Sequence, residues 1–187
     1  MTTRTLLAAV AIEAIAMSGC ATNPVTGKSD VVTMSAAQEV EIGRKMHPQI
    51  LQQYGRYSDE ALQAYVNDTG QRIAAASHLP NLQFTFTVLD SEEVNAFALP
   101  GGYITRGIMA YLNSEAQLVA VLGHEVGHVT ARHAVRQQSG AAAAGVGATV
   151  IGILTGSGDL ANVANMAGTA LVRGYGRDME LEADAIG

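Results

Sequence analysis

The 187-residue chain contains a single cysteine, Cys20, and no tryptophan. One thiol can form neither a disulfide within the chain nor a thiolate zinc cluster, so any bound metal must be held by nitrogen and oxygen. Lys and Arg number only 11 and form no run that could follow a phosphate backbone, which argues against a nucleic-acid partner. With 48% hydrophobic and 15% charged residues, the composition predicts a globular domain with a hydrophobic core.

The first 20 residues are typical of an export signal. A largely apolar stretch follows Arg4 and ends at Met17, too short to cross a bilayer, and small residues then precede Cys20. This pattern resembles the lipobox of bacterial lipoproteins, which implies a signal peptide over residues 1–19 and a membrane-attaching lipid on Cys20. Ala21 resembles the pattern sorted to the periplasmic side of the outer membrane. The alternative is an ordinary secretory signal with a chance cysteine.

Turn-forming residues predict a tether over residues 20–34, and helical patterns begin directly after it. Ser35 and Gln38 have the spacing of a capping box, which predicts a first helix that Pro48 bends or ends. Apolar residues at helical spacing after Ser58 predict a second helix.

The period of the pattern changes to two between Leu82 and Val88, which predicts a half-buried strand. A second extended stretch is predicted from Asn95 to Leu99. Pro100-Gly101-Gly102 favours a tight reversal, and Tyr103-Ile104-Thr105 then returns as a short strand. These stretches predict a small antiparallel sheet.

A third helix carries the most informative motif, His124-Glu125-Val126-Gly127-His128. Ser114 and Gln117 form another capping box at its start, and we expect the helix to end near Gly140. Apolar residues recur at steps of three and four along it: Leu118, Val119, Leu122, Val126 and Val129. This amphipathic pattern places much of the motif helix in a core.

The spacing within the motif indicates a metal centre. Residues four apart on a helix differ by only about 40° around its axis, so His124 and His128 can present two imidazole nitrogens to one ion. Glu125 is placed to reach a metal-bound water, and zinc with an adjacent glutamate is the combination that activates water for hydrolysis. The alternative, a surface helix with two unligated histidines, is disfavoured because buried polar groups without partners are costly.

A catalytic zinc needs a third protein ligand, and spacing leaves its identity open. On a continuous helix His133 lies about 140° from His128, so it is expected to be a polar helix residue and not a ligand of the same ion. Glu180 and Glu182 are about 200° apart on a helix, so only one of them can face the metal. Asp184 shares a face with Glu180 and could orient a ligand histidine. The alternative for these carboxylates is a solvated acidic face.

The remaining histidines and the Ala- and Gly-rich stretch offer weaker signals. His47 and His78 lie before the sheet and have no local pattern that recommends them as ligands. The stretch from 140 to 171 is uncharged in its most apolar part, which can signal a membrane span, but its glycines favour a buried or hinged helical insertion.

Together these motifs resemble the bacterial gluzincin peptidases related to HtpX and the CAAX prenyl proteases, in their exported lipoprotein form. The resemblance is carried by the motif with the five residues after it, by Asn95 to Gly102, by residues 180–187 and by the tether segment 23–27. It implies an α+β fold over residues 35–187, a mainly helical zincin-type domain with a small antiparallel sheet beside the motif helix.

The resemblance also implies roles for individual residues. His124, His128 and Glu180 would bind one Zn²⁺ per chain, and Glu125 would be the general base. Asp184 would either support a ligand histidine or donate a proton.

The same resemblance bears on substrate binding and on the extent of the domain. The segment from Asn95 to Gly102 resembles the edge of a cleft, where an extended peptide could add as a strand. Peptidases of this type continue well beyond the final acidic helix, so the domain is expected to be incomplete at Gly187, and the activity of this length of chain is then an open question.

The leading functional hypothesis is a zinc metalloendopeptidase that hydrolyses unfolded or misassembled envelope proteins, with the substrate class implied by the resemblance alone. A second hypothesis is a zinc-binding, chaperone-like or quality-control lipoprotein with little or no turnover. A third is a non-catalytic integral membrane protein that uses residues 140–155.

Overall fold

The computed structural model describes residues 19–32, 34–99, 101–143 and 175–187. Apart from Gly19, the predicted signal peptide lies outside the described residues, as does most of the Ala- and Gly-rich stretch from 140 to 171. No helix within the described ranges is long and apolar enough to cross a membrane.

Short strands and longer helices follow one another along the described chain. They are β1 (Gly19–Thr22), β2 (Ser29–Val32), α1 (Ala36–Tyr54), α2 (Glu60–Ala76), β3 (Phe86–Leu89), β4 (Ala96–Leu99), β5 (Gly101–Thr105), α3 (Arg106–Met109), α4 (Glu115–Thr130), α5 (His133–Ala143) and α6 (Arg177–Ile186). β1 and β2 form an antiparallel hairpin that begins at Gly19, the last residue of the predicted signal peptide, and otherwise lies in the segment predicted as a tether. The other three strands form one sheet in the order β3-β5-β4.

The predicted fold class, a mainly helical α+β domain with a small antiparallel sheet, is confirmed. β4 and β5 pair antiparallel across the reversal predicted around Pro100, with Leu99 opposite Gly101. β3 adds to the other edge of β5 in parallel, with Phe86 opposite Gly102. This parallel pair arises because β5 folds back from β4 and takes the position between β4 and β3.

The first helix begins where its capping box predicts. The Ser35 hydroxyl accepts a hydrogen bond from the Gln38 backbone N–H at 3.3 Å, and the Gln38 side chain accepts one from the Ser35 N–H at 2.8 Å. The helix does not end at Pro48 but continues to Tyr54. An interior proline costs about 3 kcal/mol, and this cost is offset by burial of Met46 and Ile50 on either side of it against the sheet.

The motif helix α4 forms one wall of the main core. Its Ser114 cap is present as predicted, and Leu118, Leu122, Val126 and Val129 are all buried. They pack in one cluster with side chains of α2 and the sheet, among them Val66, Phe84, Phe86, Val88 and Ala98. The predicted apolar face is therefore buried except at Val119, which is 39% exposed, and the buried part sets the rotation of α4 in the fold.

The expectation that the motif helix continues to about Gly140 is wrong, because α4 ends at Thr130 and a new helix, α5, begins at His133. Arg132 between them has φ of 56°, a left-handed conformation unusual for a residue with a side chain. Its side chain donates to the Glu39 carboxylate at 2.9 Å and to the Met34 carbonyl at 3.1 Å. These buried contacts with the start of α1 hold the break in place.

The last described helix, α6, crosses α4 at very short range. A Cβ atom added to Gly127 would lie 2.9 Å from the Ala183 carbonyl oxygen, and one added to Gly123 would lie 3.2 Å from Gly187. The two glycines therefore leave room for the backbone of α6. This close packing brings the acidic residues of α6 over the histidines of α4.

Candidate metal centre

Three predicted side chains meet where α6 crosses α4. His124, His128 and Glu180 each offer one ligand atom, and these atoms all lie within 4.8 Å of one another. The His124 Nε2 and His128 Nε2 atoms are 2.9 Å apart, and the Glu180 carboxylate lies 3.3 Å from the first and 3.8 Å from the second. Glu182, the competing candidate, points elsewhere.

The donor set fits a zinc ion. Both imidazoles have their Nδ1 atoms occupied, at 2.8 Å from Asp184 for His124 and at 2.8 Å from His133 for His128. Each ring therefore turns its Nε2 atom towards the other and towards Glu180. Two imidazole nitrogens and one carboxylate are the three protein ligands of a common type of catalytic zinc site.

Tyr175 is a neighbour of the centre that sequence reasoning missed. Its backbone N–H donates to Glu180 Oε1 at 3.1 Å, and its ring stacks on His128 with 4.2 Å between ring centroids. Burial raises the pKa of its phenol, which stays protonated. No local pattern marks Tyr175, because its contacts depend on the path of the chain into α6.

His133 is the second neighbour that was missed. It does not join the group of ligand atoms found among the described residues, but it is fully buried, and its Nδ1 lies 2.8 Å from His128 Nδ1. The break at Arg132 places it there, since a continuous helix would carry it about 140° away from His128. Its Nε2 lies 3.1 Å from Glu182 Oε2.

Comparison with known proteins assigns the chain to a family. Residues 60–187 match the model of peptidase family M48. The chain belongs to this family. The match contains the whole described centre, and membership in M48 implies a bound metal and hydrolase chemistry. The predicted resemblance to gluzincin peptidases is thereby confirmed.

Individual relatives support the same assignment. The chain is 32% identical over 197 residues to the beta-barrel assembly-enhancing protease of Escherichia coli K12, a match that covers 98% of this chain and 40% of that protein. It is 31% identical to a putative beta-barrel assembly-enhancing protease of Vibrio cholerae, covering 99% of this chain and 41% of the relative. The mitochondrial metalloendopeptidase OMA1 of Schizosaccharomyces pombe is 28% identical over 173 residues, covering 88% of the chain and 50% of that protein. The chain thus spans about two-fifths of the bacterial relatives and half of the fungal one.

Glu125, the glutamate between the two motif histidines, is buried beside the centre. Glu125 is 8% exposed. Burial, and then the negative charge of Glu180, raise the pKa of Glu125 to about 8. In contrast, burial and the neighbouring histidines lower the pKa of His128 to about 3, so its imidazole is neutral and available as a ligand. A carboxylate with a pKa near neutrality suits proton transfer.

The raised pKa of Glu125 predicts a pH-dependent stability of the metal-free protein. The unfolded chain releases this proton near pH 4.5, whereas the folded protein retains it up to about pH 8, so folding becomes less favourable as pH rises through this window. Glu125→Gln should therefore increase the free energy of unfolding of chelated protein at pH 8 by on the order of a few kcal/mol, with little gain at pH 4.5.

Urea unfolding of chelated protein across this pH range measures the effect. Glu115→Gln, at an exposed position on the same helix, is the matched control. Parallel pH curves for the two variants would contradict the prediction.

Proposed function

We propose that this chain is a zinc-dependent metalloendopeptidase of the bacterial cell envelope that hydrolyses unfolded or misassembled proteins. The observation that carries the proposal is the convergence of His124, His128 and Glu180, with Glu125 buried directly after His124 on the same helix. Two imidazoles and one carboxylate provide a binding site, and Glu125 provides a base. Each part of this arrangement has a separate role in hydrolysis.

The ligand residues would hold the ion through His124 Nε2, His128 Nε2 and the Glu180 carboxylate. Zinc bound in this way lowers the pKa of water and polarises a carbonyl group. With Nε2 on the metal, His124 would carry its proton on Nδ1, and Asp184 Oδ1, which lies 2.8 Å from that atom, would accept it and orient the ring. Its side chain is 67% exposed, and this contact supports an orienting role for Asp184 over that of proton donor.

Glu125 would act as the general base. Its carboxylate takes a proton from the attacking water and passes it to the leaving amine, so the same group serves both halves of the reaction. Its pKa would fall when a cation binds nearby, since a positive charge favours the ionised form. Burial keeps bulk water from competing for the proton.

The sheet offers a place for the peptide. Among the described residues β4 is paired with β5 and stands last in the strand order of the sheet, and it packs directly against α4. An extended substrate that added to β4 would run beside the motif helix, with its main chain held by hydrogen bonds. Binding of this kind selects extended, unfolded polypeptides.

The envelope location rests on the amino-terminal residues and on the relatives. The lipobox-like sequence before Cys20 supports a lipid anchor on the periplasmic side of the outer membrane. The E. coli and V. cholerae relatives carry names that connect them with assembly of beta-barrel proteins. We extend this connection to the present chain as part of the proposal, with misassembled envelope proteins as the substrates.

Metal removal provides the direct test. The purified chain should bind one zinc ion and cleave casein, an unfolded substrate. Chelation should abolish cleavage, and stoichiometric zinc should restore it. Zinc content is measured by atomic absorption and cleavage by release of soluble peptides. Stoichiometric zinc without cleavage would favour the alternative of a zinc-binding, chaperone-like lipoprotein, and cleavage that survives chelation would exclude a metallopeptidase.

A further inference from the structure

We propose that His133 is a positioning residue for the metal ligand His128, and that Glu182 is its anionic anchor. This inference rests on the proposed metal centre. It concerns a histidine outside the His-Glu-x-x-His motif and the acidic residue that was not assigned as the third ligand. Hydrogen bonds connect His128 to His133 and His133 to Glu182.

Metal binding by His128 through Nε2 leaves one consistent set of proton positions in this hydrogen-bond network. If His128 offers Nε2 to the metal, its proton is on Nδ1, which lies 2.8 Å from His133 Nδ1. His133 must then accept at Nδ1 and carry its own proton on Nε2. That Nε2 lies 3.1 Å from Glu182 Oε2, which accepts the proton. The ionised Glu182 therefore selects the tautomer of both rings.

The residues around these hydrogen bonds favour this arrangement of protons. His133 is 0% exposed and His128 is also buried, so water does not compete for the contact between their rings. Arg136 Nη1 donates to the same Glu182 oxygen at 2.8 Å and keeps the carboxylate in position and charged. Ligand histidines oriented by partners of this kind are stronger and better placed donors.

The chain of contacts extends from the metal centre to the amino-terminal hairpin. Arg136 Nε lies 3.6 Å from Asp30 Oδ2 on β2, and that oxygen accepts from the Asn23 side-chain amide at 2.9 Å. Asn23 is buried and also accepts two backbone N–H groups in the turn between β1 and β2. The hairpin thus supports Arg136, and through it the position of Glu182.

Two substitutions of His133 separate positioning from packing. In His133→Asn the side-chain oxygen can occupy the place of Nδ1 and still accept from His128, whereas in His133→Gln the amide nitrogen can occupy the place of Nε2 and still reach Glu182. The proposal expects His133→Gln to weaken zinc binding by about 10- to 100-fold and His133→Asn by clearly less. A packing role alone predicts the reverse, because Gln is closer to His in volume.

Zinc affinity is measured on the full chain by competition with a chromogenic chelator, and the absorption spectrum of the cobalt-substituted protein reports ligand geometry. His78→Asn and His78→Gln, at an exposed histidine, are the matched controls and should leave both readouts unchanged. Equal zinc affinities for the two His133 variants, or a weaker affinity for His133→Asn, would overturn the proposal.

A third variant keeps the test decisive if the buried substitutions impair folding. Glu182→Gln retains an oxygen that can accept from His133 but removes the charge. Glu182 is the partly exposed member of the hydrogen-bond network, so its substitution disturbs packing less. It should weaken zinc binding by about 3- to 10-fold and alter the cobalt spectrum. Unchanged affinity in this variant would overturn the role of Glu182, whereas absence of stoichiometric zinc in the unaltered chain would overturn the metal centre itself.

Discussion

Glu125→Gln is expected to lower the rate of casein cleavage by about 10²- to 10⁴-fold while one zinc ion per chain remains bound. Gln has nearly the shape of Glu but cannot accept the proton of the attacking water. The three proposed ligand atoms come from other residues, so binding of the ion is not expected to depend on Glu125. Loss of cleavage with full retention of bound zinc is therefore the result expected of a general base.

Glu115→Gln is the control for this experiment, since Glu115 lies on the same helix and is exposed. It should cleave casein at the unaltered rate. If Glu125→Gln cleaved as fast as the original chain, the peptidase assignment of this site would be wrong. If it lost zinc as well as activity, Glu125 would have a role in binding that the geometry does not indicate.

Glu180→Gln is expected to weaken zinc binding by at least about 100-fold and to abolish cleavage at limiting zinc, because removal of a direct ligand should exceed the effect of losing an outer partner. The amide removes the negative charge that faces the two imidazoles. Its oxygen can still accept from the Tyr175 N–H, so the packing of α6 on α4 should persist. The loss would then report on ligation and not on folding.

Competition with a chelator gives the zinc affinity, and thermal unfolding of the metal-free variant checks that the fold is retained. Asp178→Asn, an exposed acidic position on the same helix, should behave as the unaltered chain. Full zinc affinity in Glu180→Gln would exclude Glu180 as the third ligand, and the grouping with His124 and His128 would then need another explanation.

Local patterns predicted α1, α2, the beginning of α4 and the three strands of the sheet, because helix caps and apolar periodicity express forces that act over a few residues. They did not predict α3 or the hairpin of β1 and β2. The capping box at Ser35 is complete, whereas at Ser114 only the hydroxyl accepts as predicted and the Gln117 side chain accepts instead from the Asn113 N–H at 2.6 Å. The return strand after Pro100 was also predicted. The parallel pairing of β3 with β5 was not, because strand order depends on contacts between distant segments and leaves no mark in the periodicity.

The break after α4 shows where local reasoning fails. Nothing in the sequence near Arg132 signals a left-handed backbone, since glycine or asparagine is the usual residue there. The conformation depends on buried contacts to Glu39 and Met34, which lie far away in the chain. Because the break was not predicted, a continuous helix was assumed, and on it His133 faces away from His128.

By itself, the sequence determined the elements of the centre that lie within one helical turn, namely two histidines on one face and a glutamate beside them, since helix geometry alone places residues four apart together. Only the tertiary structure decided that Glu180, and not Glu182, lies beside the two histidines, and only it set the contacts of His133 and Tyr175 with His128. Those contacts follow from the close crossing of α6 over Gly127 and from the backbone of Arg132. Packing between segments distant in the chain controls both, and helical spacing carries no information about it.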